Sequence, residues 1–334
     1  MSLEQFLVNA WHRDSWWLLF LRPFALLFSG LARLRRRWLQ GKFQGVPFAV
    51  PVIVVGNLSV GGSGKTPLVV ALVKAFAERG LKTGVVSRGY GGRAAQYPSL
   101  VSAASVAAEV GDEPLLIAQQ TSELDCPVVV DPNRQQGVEY LLANAQVDLI
   151  LTDDGLQHYG LHRDVEIVVI DGVRGLGNQR TLPAGPLREP VQRLSEVDFV
   201  VANGAAAGFA SDTEIRIVAR AFRHLASGSI VGLDAWAESR SVHAVAAIGN
   251  PERFAKTLEG LGFDVSLVGK NDHQPLLLAD ISFNDQLPVI ITAKDAVKFT
   301  HSAPGNLWVL DVEMMVESAF VDRLIQRLNL SSEH

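Results

Sequence analysis

The chain has almost no cysteine: one residue in 334, Cys126. A single thiol excludes an internal disulfide framework, and with no CxxC pair anywhere a structural zinc site has no thiolates to use. A reducing, cytoplasmic setting fits that usage. Internal repeats, heptads and nucleic-acid motifs are also missing. The formal net charge is −5, and it is uneven. Residues 1–40 hold six arginines against Glu4 and Asp14, a balance of +4, which leaves −9 for the remainder. That acidic remainder gives no sign of nucleic-acid binding. A secretory signal is not read either, because the basic cluster follows the first apolar run instead of preceding it.

The first forty residues are rich in tryptophan, with Trp11, Trp16, Trp17 and Trp38. The stretch "WWLLFLRPFALLFSGLA" (16–32) is 17 residues long, the short limit for crossing a bilayer. Arg22-Pro23 lies near its middle, where an arginine costs roughly 2.5–3.5 kcal/mol on insertion scales and a proline kinks a helix. "RLRRR" (33–37) follows directly and suits an anionic surface, while tryptophans at both ends suit the headgroup zone. The pattern predicts a helix over 1–40 dipping into one leaflet, peripheral or monotopic, with its basic end at the cytoplasmic face. The rival reading is a long helix packed on the protein's own core.

The length suggests two domains. From residue 41 short apolar runs alternate with helical stretches, which predicts an α/β fold with a parallel sheet covered on both faces. This first domain is expected over 41–220, with 203–212 ("NGAAAGFASD") as a surface loop. An extended connector is expected over 221–240, and a second, smaller α/β domain over 241–334. There Asn250 and Pro251 have the chemistry of a helix start, and Gly262 follows its end.

"VIVVGNLSVGGSGKTPLVVAL" (52–72) carries the chemistry. An apolar strand, a glycine-rich turn and a helix in that order form a phosphate-binding loop, in which backbone N–H groups converge on an anion at a helix N-terminus. The usual pattern is G-x-x-x-x-G-K-[ST]. Gly64, Lys65 and Thr66 fit it, while Ser59 stands at the first glycine position and Val60, Gly61, Gly62 and Ser63 fill the turn. Lys65 is placed to reach the β- and γ-phosphates of ATP, and the Thr66 hydroxyl to bind Mg²⁺. "VDLILTDDG" ends a second strand in Asp153-Asp154, the position of a metal-side aspartate. A bare phosphate loop does not separate a nucleotide switch or a metal-insertion ATPase working on a protein partner from a small-molecule kinase. "TAKD" (292–295) has the letters of a guanine-reading motif at the wrong spacing.

Taken together, "SVGGSGKTP", "SRGYGGR", "VGDEP", "DDGLQH", "LPAGPLREP" and "TAKDAVKF" resemble the tetraacyldisaccharide 4′-kinases, over almost the whole chain. The resemblance implies a P-loop kinase core that phosphorylates the 4′-hydroxyl of a tetraacylated glucosamine disaccharide 1-phosphate with ATP and Mg²⁺. It implies work at the bacterial inner membrane with no obligate protein partner. It also implies roles: Asp112 as catalytic base, His273 as its partner, and Arg188 steadying the phosphoryl group. Glu113, Asp153 and Asp154 would hold or orient the metal. Gln274 stands where the family often has a second histidine. Each residue has a plainer reading. Asp112-Glu113 suits a helix N-terminus, Arg188-Glu189 a surface ion pair, Tyr90 a structural contact, and His158 a supporting position.

Overall fold

The structure, a computed structural model, describes residues 3–42, 47–206, 208–299 and 303–330, so Ala207 of the expected surface loop lies outside it. The N-terminal segment is α1 (Leu3–His12), a 3₁₀ turn (Trp16–Leu21) and α2 (Arg22–Lys42). It is therefore not one helix. Pro23 falls in the first turn of α2, where its missing N–H removes no helical bond, so it starts a helix instead of kinking one. Ala25, Phe28, Ser29, Ala32 and Arg36 recur at helical spacing and face the protein, while Phe24, Leu26, Leu27, Leu31 and Leu34 are exposed. The stretch Trp16–Leu39 is long and apolar enough to cross a membrane, and only 17% of its most apolar window is buried. That exposure rules out a core helix.

The rest alternates: β1 (Val52–Gly56), α3 (Lys65–Ala77), β2 (Thr83–Ser87), β3 (Ser99–Val101), α4 (Ala107–Val110), α5 (Asp112–Gln120), β4 (Val128–Val130), α6 (Arg134–Asn144), β5 (Leu149–Asp153), β6 (Val165–Asp171), β7 (Phe199–Asn203), β8 (Thr213–His224), β9 (Ile230–Gly232), β10 (Ser241–Ala246), α7 (Pro251–Gly260), β11 (Asp264–Gly269), β12 (Val289–Thr292), α8 (Ala293–Ala296), β13 (Leu307–Met315) and α9 (Ser318–Arg327). In the first lobe the order is β4-β2-β5-β1-β6-β7, all parallel, with β3 antiparallel on the edge. Strands β1, β2, β4, β5 and β6 are buried along their whole length, which is why they read as unbroken apolar runs. Val55 of β1 pairs with Asp153 of β5, so the loop leaving β1 emerges beside the two aspartates.

Strand β8 joins the lobes. It pairs parallel with β7 and antiparallel with β13, and β13, β12, β10 and β11 continue as a parallel set. The expected start of a connector at 221 thus falls within a strand. The far end of the chain crosses back as well. The apolar stripe of α9 (Phe320, Val321, Leu324, Ile325) shares one core with Leu68, Leu72 and Phe76 of α3. Burying that stripe requires a second apolar helix face, which α3 supplies. Phe320 is fully buried and meets Phe199 edge-on at 5.4 Å. Phe320→Ala is expected to destabilise the protein by roughly 3–5 kcal/mol in denaturant unfolding. A loss under about 1 kcal/mol would separate the tail from this core.

Candidate active site

The phosphate loop is built as its glycines require. Gly64 caps α3 with φ +95°, and a Cβ there would lie 2.3 Å from the Asn203 amide nitrogen. That amide donates to the Ser63 carbonyl at 2.9 Å. Gly61 also has φ +95°. The entry to the loop is held by "LPAGPLREP": Ser59 bridges Leu187, Val60 N–H donates to Pro186 O at 2.9 Å, and Arg188 N–H to Leu58 O at 2.6 Å. The buried Ser63 hydroxyl has no partner. The loop apex abuts the second lobe, since a Cβ on Gly249 would lie 2.2 Å from the Gly62 nitrogen. Asn250, as expected, accepts the Arg253 N–H at the start of α7, and Arg253 reaches over to Asn203 at 2.7 Å.

Beneath the loop, Thr66 Oγ1 donates to Asp153 Oδ2 at 3.1 Å, while Asp153 Oδ1 is buried without a partner. Burial, then the Glu113 charge, push the Asp153 carboxyl well above its ordinary range. Asp154 differs. Burial opposes its charge, but Lys65 at 3.4 Å and Arg188 at 3.5 Å outweigh that and lower its pKa. Its φ of +51° is a left-handed conformation that turns the carboxylate to both cations. Arg134, 2% exposed, donates to Asp131 O and Asp153 O and fastens the end of β5.

Asp112 opens α5, as the helix-start reading expects. His273 Nδ1 sits 3.1 and 3.2 Å from its two oxygens. Lys294 on α8 lies 3.9 Å from Asp112, 3.0 Å from Glu113 and 3.1 Å from Asp272, and Lys298 lies 3.9 Å from Asp112. Burial opposes the Asp112 charge, but His273, Lys294 and Lys298 hold its pKa below the ordinary value. Burial likewise opposes the imidazolium, yet the Asp112 hydrogen bond and the Asp272 charge raise the His273 pKa against Lys294. The Tyr90 ring covers His273 at 4.8 Å.

The structure therefore brings Lys65, Arg188, Thr66, Asp153 and Asp154 to one side and Asp112, Glu113 and His273 to the other. Glu113 is turned to Lys294. Arg188 and Glu189 do not pair: Glu189 is buried and binds Gln157, Tyr159 and Arg193. His158 is held neutral, its pKa pushed down to about 4 by burial and by Arg134, Arg163, Arg88 and Arg35. Gln274 caps its own loop through Asn271 N–H. Lys294 and Lys298 were missed as site residues. Their signal was "TAKDAVKF", which places Lys294 on α8 and Lys298 in the turn just after it.

A glycine-rich phosphate loop, a buried ionised carboxylate paired with a histidine and two sets of converging cations are the parts of a P-loop phosphotransferase. A profile of the tetraacyldisaccharide-1-P 4′-kinase family matches residues 17–329. The chain is 46% identical to the tetraacyldisaccharide 4′-kinase of Ectopseudomonas mendocina (strain ymp) over 98% of both chains. It is 45% identical to that of Azotobacter vinelandii over 96% of both. A crystal structure of LpxK from Aquifex aeolicus in complex with ATP superposes with a TM-score of 0.75 at 27% identity, covering 93% of this chain and 99% of that one. The chain belongs to the tetraacyldisaccharide-1-phosphate 4′-kinase family.

The Asp112–His273 pair is fully charged between the depressed pKa of the acid and the raised pKa of the base. Its stabilisation is lost as pH rises through the folded His273 value, and lost as pH falls through the folded Asp112 value. Asp112→Asn leaves burial and Lys294 unopposed except by Asp272, so the His273 pKa is expected to fall below that of the parent protein by ring NMR titration. An unmoved titration would break the pairing.

Proposed function

We propose that Asp112 takes the proton from the acceptor hydroxyl, that His273 orients Asp112 and stabilises its charge, and that Lys65 and Arg188 face the charge of the transferring phosphoryl group. The reaction is the one its family performs: transfer from ATP to the 4′-hydroxyl of a tetraacylated disaccharide 1-phosphate. The observation that carries the roles is the contact between Asp112 and His273. It joins one base from each lobe beside Glu113, whose charge is felt at Asp153 under the phosphate loop. Phosphoryl transfer asks mainly for positioning and charge neutralisation, and a sugar hydroxyl needs a carboxylate within hydrogen-bond reach. A switch or an ATPase acting on a protein partner has no use for a base so placed.

Among the described residues no three His, Cys, Asp or Glu side chains form a metal cluster. Magnesium does not require one, because it keeps waters and phosphate oxygens beside one or two carboxylates. The Thr66 hydroxyl and the unpartnered Asp153 Oδ1 are hard oxygen donors of that kind. Thr66 and Asp153 would hold the ion, with Asp154 and Glu113 orienting it. The ion would neutralise negative charge on the phosphates.

The exposed apolar face of α2, followed by Arg33, Arg35 and Arg37, suits the cytoplasmic face of the inner membrane, where an acceptor anchored by acyl chains resides. This is a lipid-facing surface on a peripheral or monotopic enzyme.

Purified protein given labelled ATP and an acylated disaccharide 1-phosphate is expected to label the lipid, whereas label released only as free phosphate would refute the kinase reading. Asp112→Ala is expected to lower kcat by about 10²–10⁴-fold with little change in nucleotide affinity. Loss of binding with kcat retained would assign Asp112 to the metal. Leu27→Glu with Leu31→Glu removes two exposed apolar anchors worth roughly 1.5–3 kcal/mol each. Vesicle sedimentation should weaken about a hundredfold or more, and unchanged sedimentation would remove α2 from the membrane.

A further inference from the structure

We propose that the N-terminal helices are part of the scaffold of the phosphate loop, with Trp11, Ser29 and Thr181 as positioning residues that set the loop's entry and Arg188. This goes beyond membrane attachment and rests on the kinase reading only for its turnover measurement.

The contacts form one chain. The Trp11 indole N–H donates to Pro183 O at 3.1 Å. Ser29 and Thr181 face each other through hydroxyls 2.7 Å apart, both residues 6% exposed. The Thr181 hydroxyl has one proton, and it goes to Ala25 O at 3.0 Å. Ser29 must then donate to Thr181, and both hydroxyls are satisfied in one order only. Position 181 is thereby tied to two successive turns of α2.

From there the path is backbone. Leu187 N–H donates to Arg180 O and Leu182 N–H to Leu187 O, which closes residues 180–187 into a tight unit. The same unit pairs with the phosphate loop through Ser59–Leu187 and Val60–Pro186, and ends at Arg188, whose N–H is bonded to Leu58 O. A direct contact runs beside it: Val60 and Leu182 pack on the buried cluster of Ala10, Trp11 and Leu18. The entry of the loop is therefore clamped between the sheet and the N-terminal helices, and Arg188 leaves the clamp two residues beyond Pro186.

The two faces of α2 separate the roles. Ala25 and Ser29 point inward, whereas Phe24, Leu27 and Leu31 are exposed. A buried pair of hydroxyls with fixed donor order constrains geometry where apolar contact alone permits sliding. Small displacements of phosphate-binding groups carry large penalties in rate.

Thr181→Val keeps the shape and removes the hydroxyl. It is expected to raise the KM for ATP about tenfold and to lower kcat, while vesicle sedimentation stays at the parent level. Thr181→Ser is expected to recover ATP KM to within about twofold. Ser29→Ala is expected to act in the same direction, and its combination with Thr181→Val to add less than the product of the two. If Thr181→Val does not fold, Trp11→Phe removes the donor and keeps an aromatic ring in the same cluster. A purely structural role would lower the folded fraction, and so apparent kcat and Tm, without moving ATP KM. Affinity for a fluorescent ATP analogue gives a reading that needs no phosphoryl transfer, so it stands if the acceptor assignment fails. Unchanged ATP KM and analogue affinity in Ser29→Ala and in either Thr181→Val or Trp11→Phe would overturn the proposal.

Discussion

One ammonium group gathers the carboxylates where the two lobes face each other at the site. Lys294 lies within 3.0–3.9 Å of Glu113, Asp272 and Asp112, and its pKa is raised because those carboxylates outweigh burial. Asp112 is 6% exposed, and an unpaired carboxylate at that depth would take up a proton. Lys294, Lys298 and His273 prevent that, and all three come from the other lobe. Asp112 thus stays ionised at this depth because cations from the other lobe offset its burial. Across the cleft Lys65 and Arg188 are arranged around Asp154 instead of Asp112. The two cation sets serve different carboxylates, so the charge of Asp112 and that of Asp154 are set separately.

Much of this was legible in the sequence, for reasons that differ by element. The phosphate loop was readable because its chemistry is backbone chemistry: Gly64 is the only residue type that fits φ +95° against Asn203. Buried parallel strands were readable as apolar runs. The site residues Asp112, His273 and Arg188 were singled out by resemblance, and the structure places Asp112 and His273 in contact. What stayed hidden is whatever depends on long-range packing. That α9 would return to α3, or that β8 would pair with both β7 and β13, is set by which apolar stripes and strand edges remain uncovered once the first lobe has formed. The roles of Lys294 and Lys298 were hidden likewise, because a lysine on a short helix reads as solvated until its carboxylate partners are placed.

The N-terminal segment shows why a membrane reading from sequence is incomplete. Composition reports that an apolar surface exists, but not that the opposite face carries a serine that meets a buried threonine from a distant loop. Pro23 looked like a flaw in a spanning helix, yet it marks a helix start. With the helix beginning there, Ala25 and Ser29 lie one turn apart on the inner side and meet a single threonine. Shifting α2 by one residue would rotate Ser29 away by about 100° and carry Leu26 or Gly30 toward Thr181. The register that leaves the apolar stripe exposed is therefore the same register that satisfies the buried hydroxyls. A phosphate loop whose entry is tied to α2 cannot shift relative to the exposed apolar face of that helix without breaking the Ser29–Thr181–Ala25 contacts.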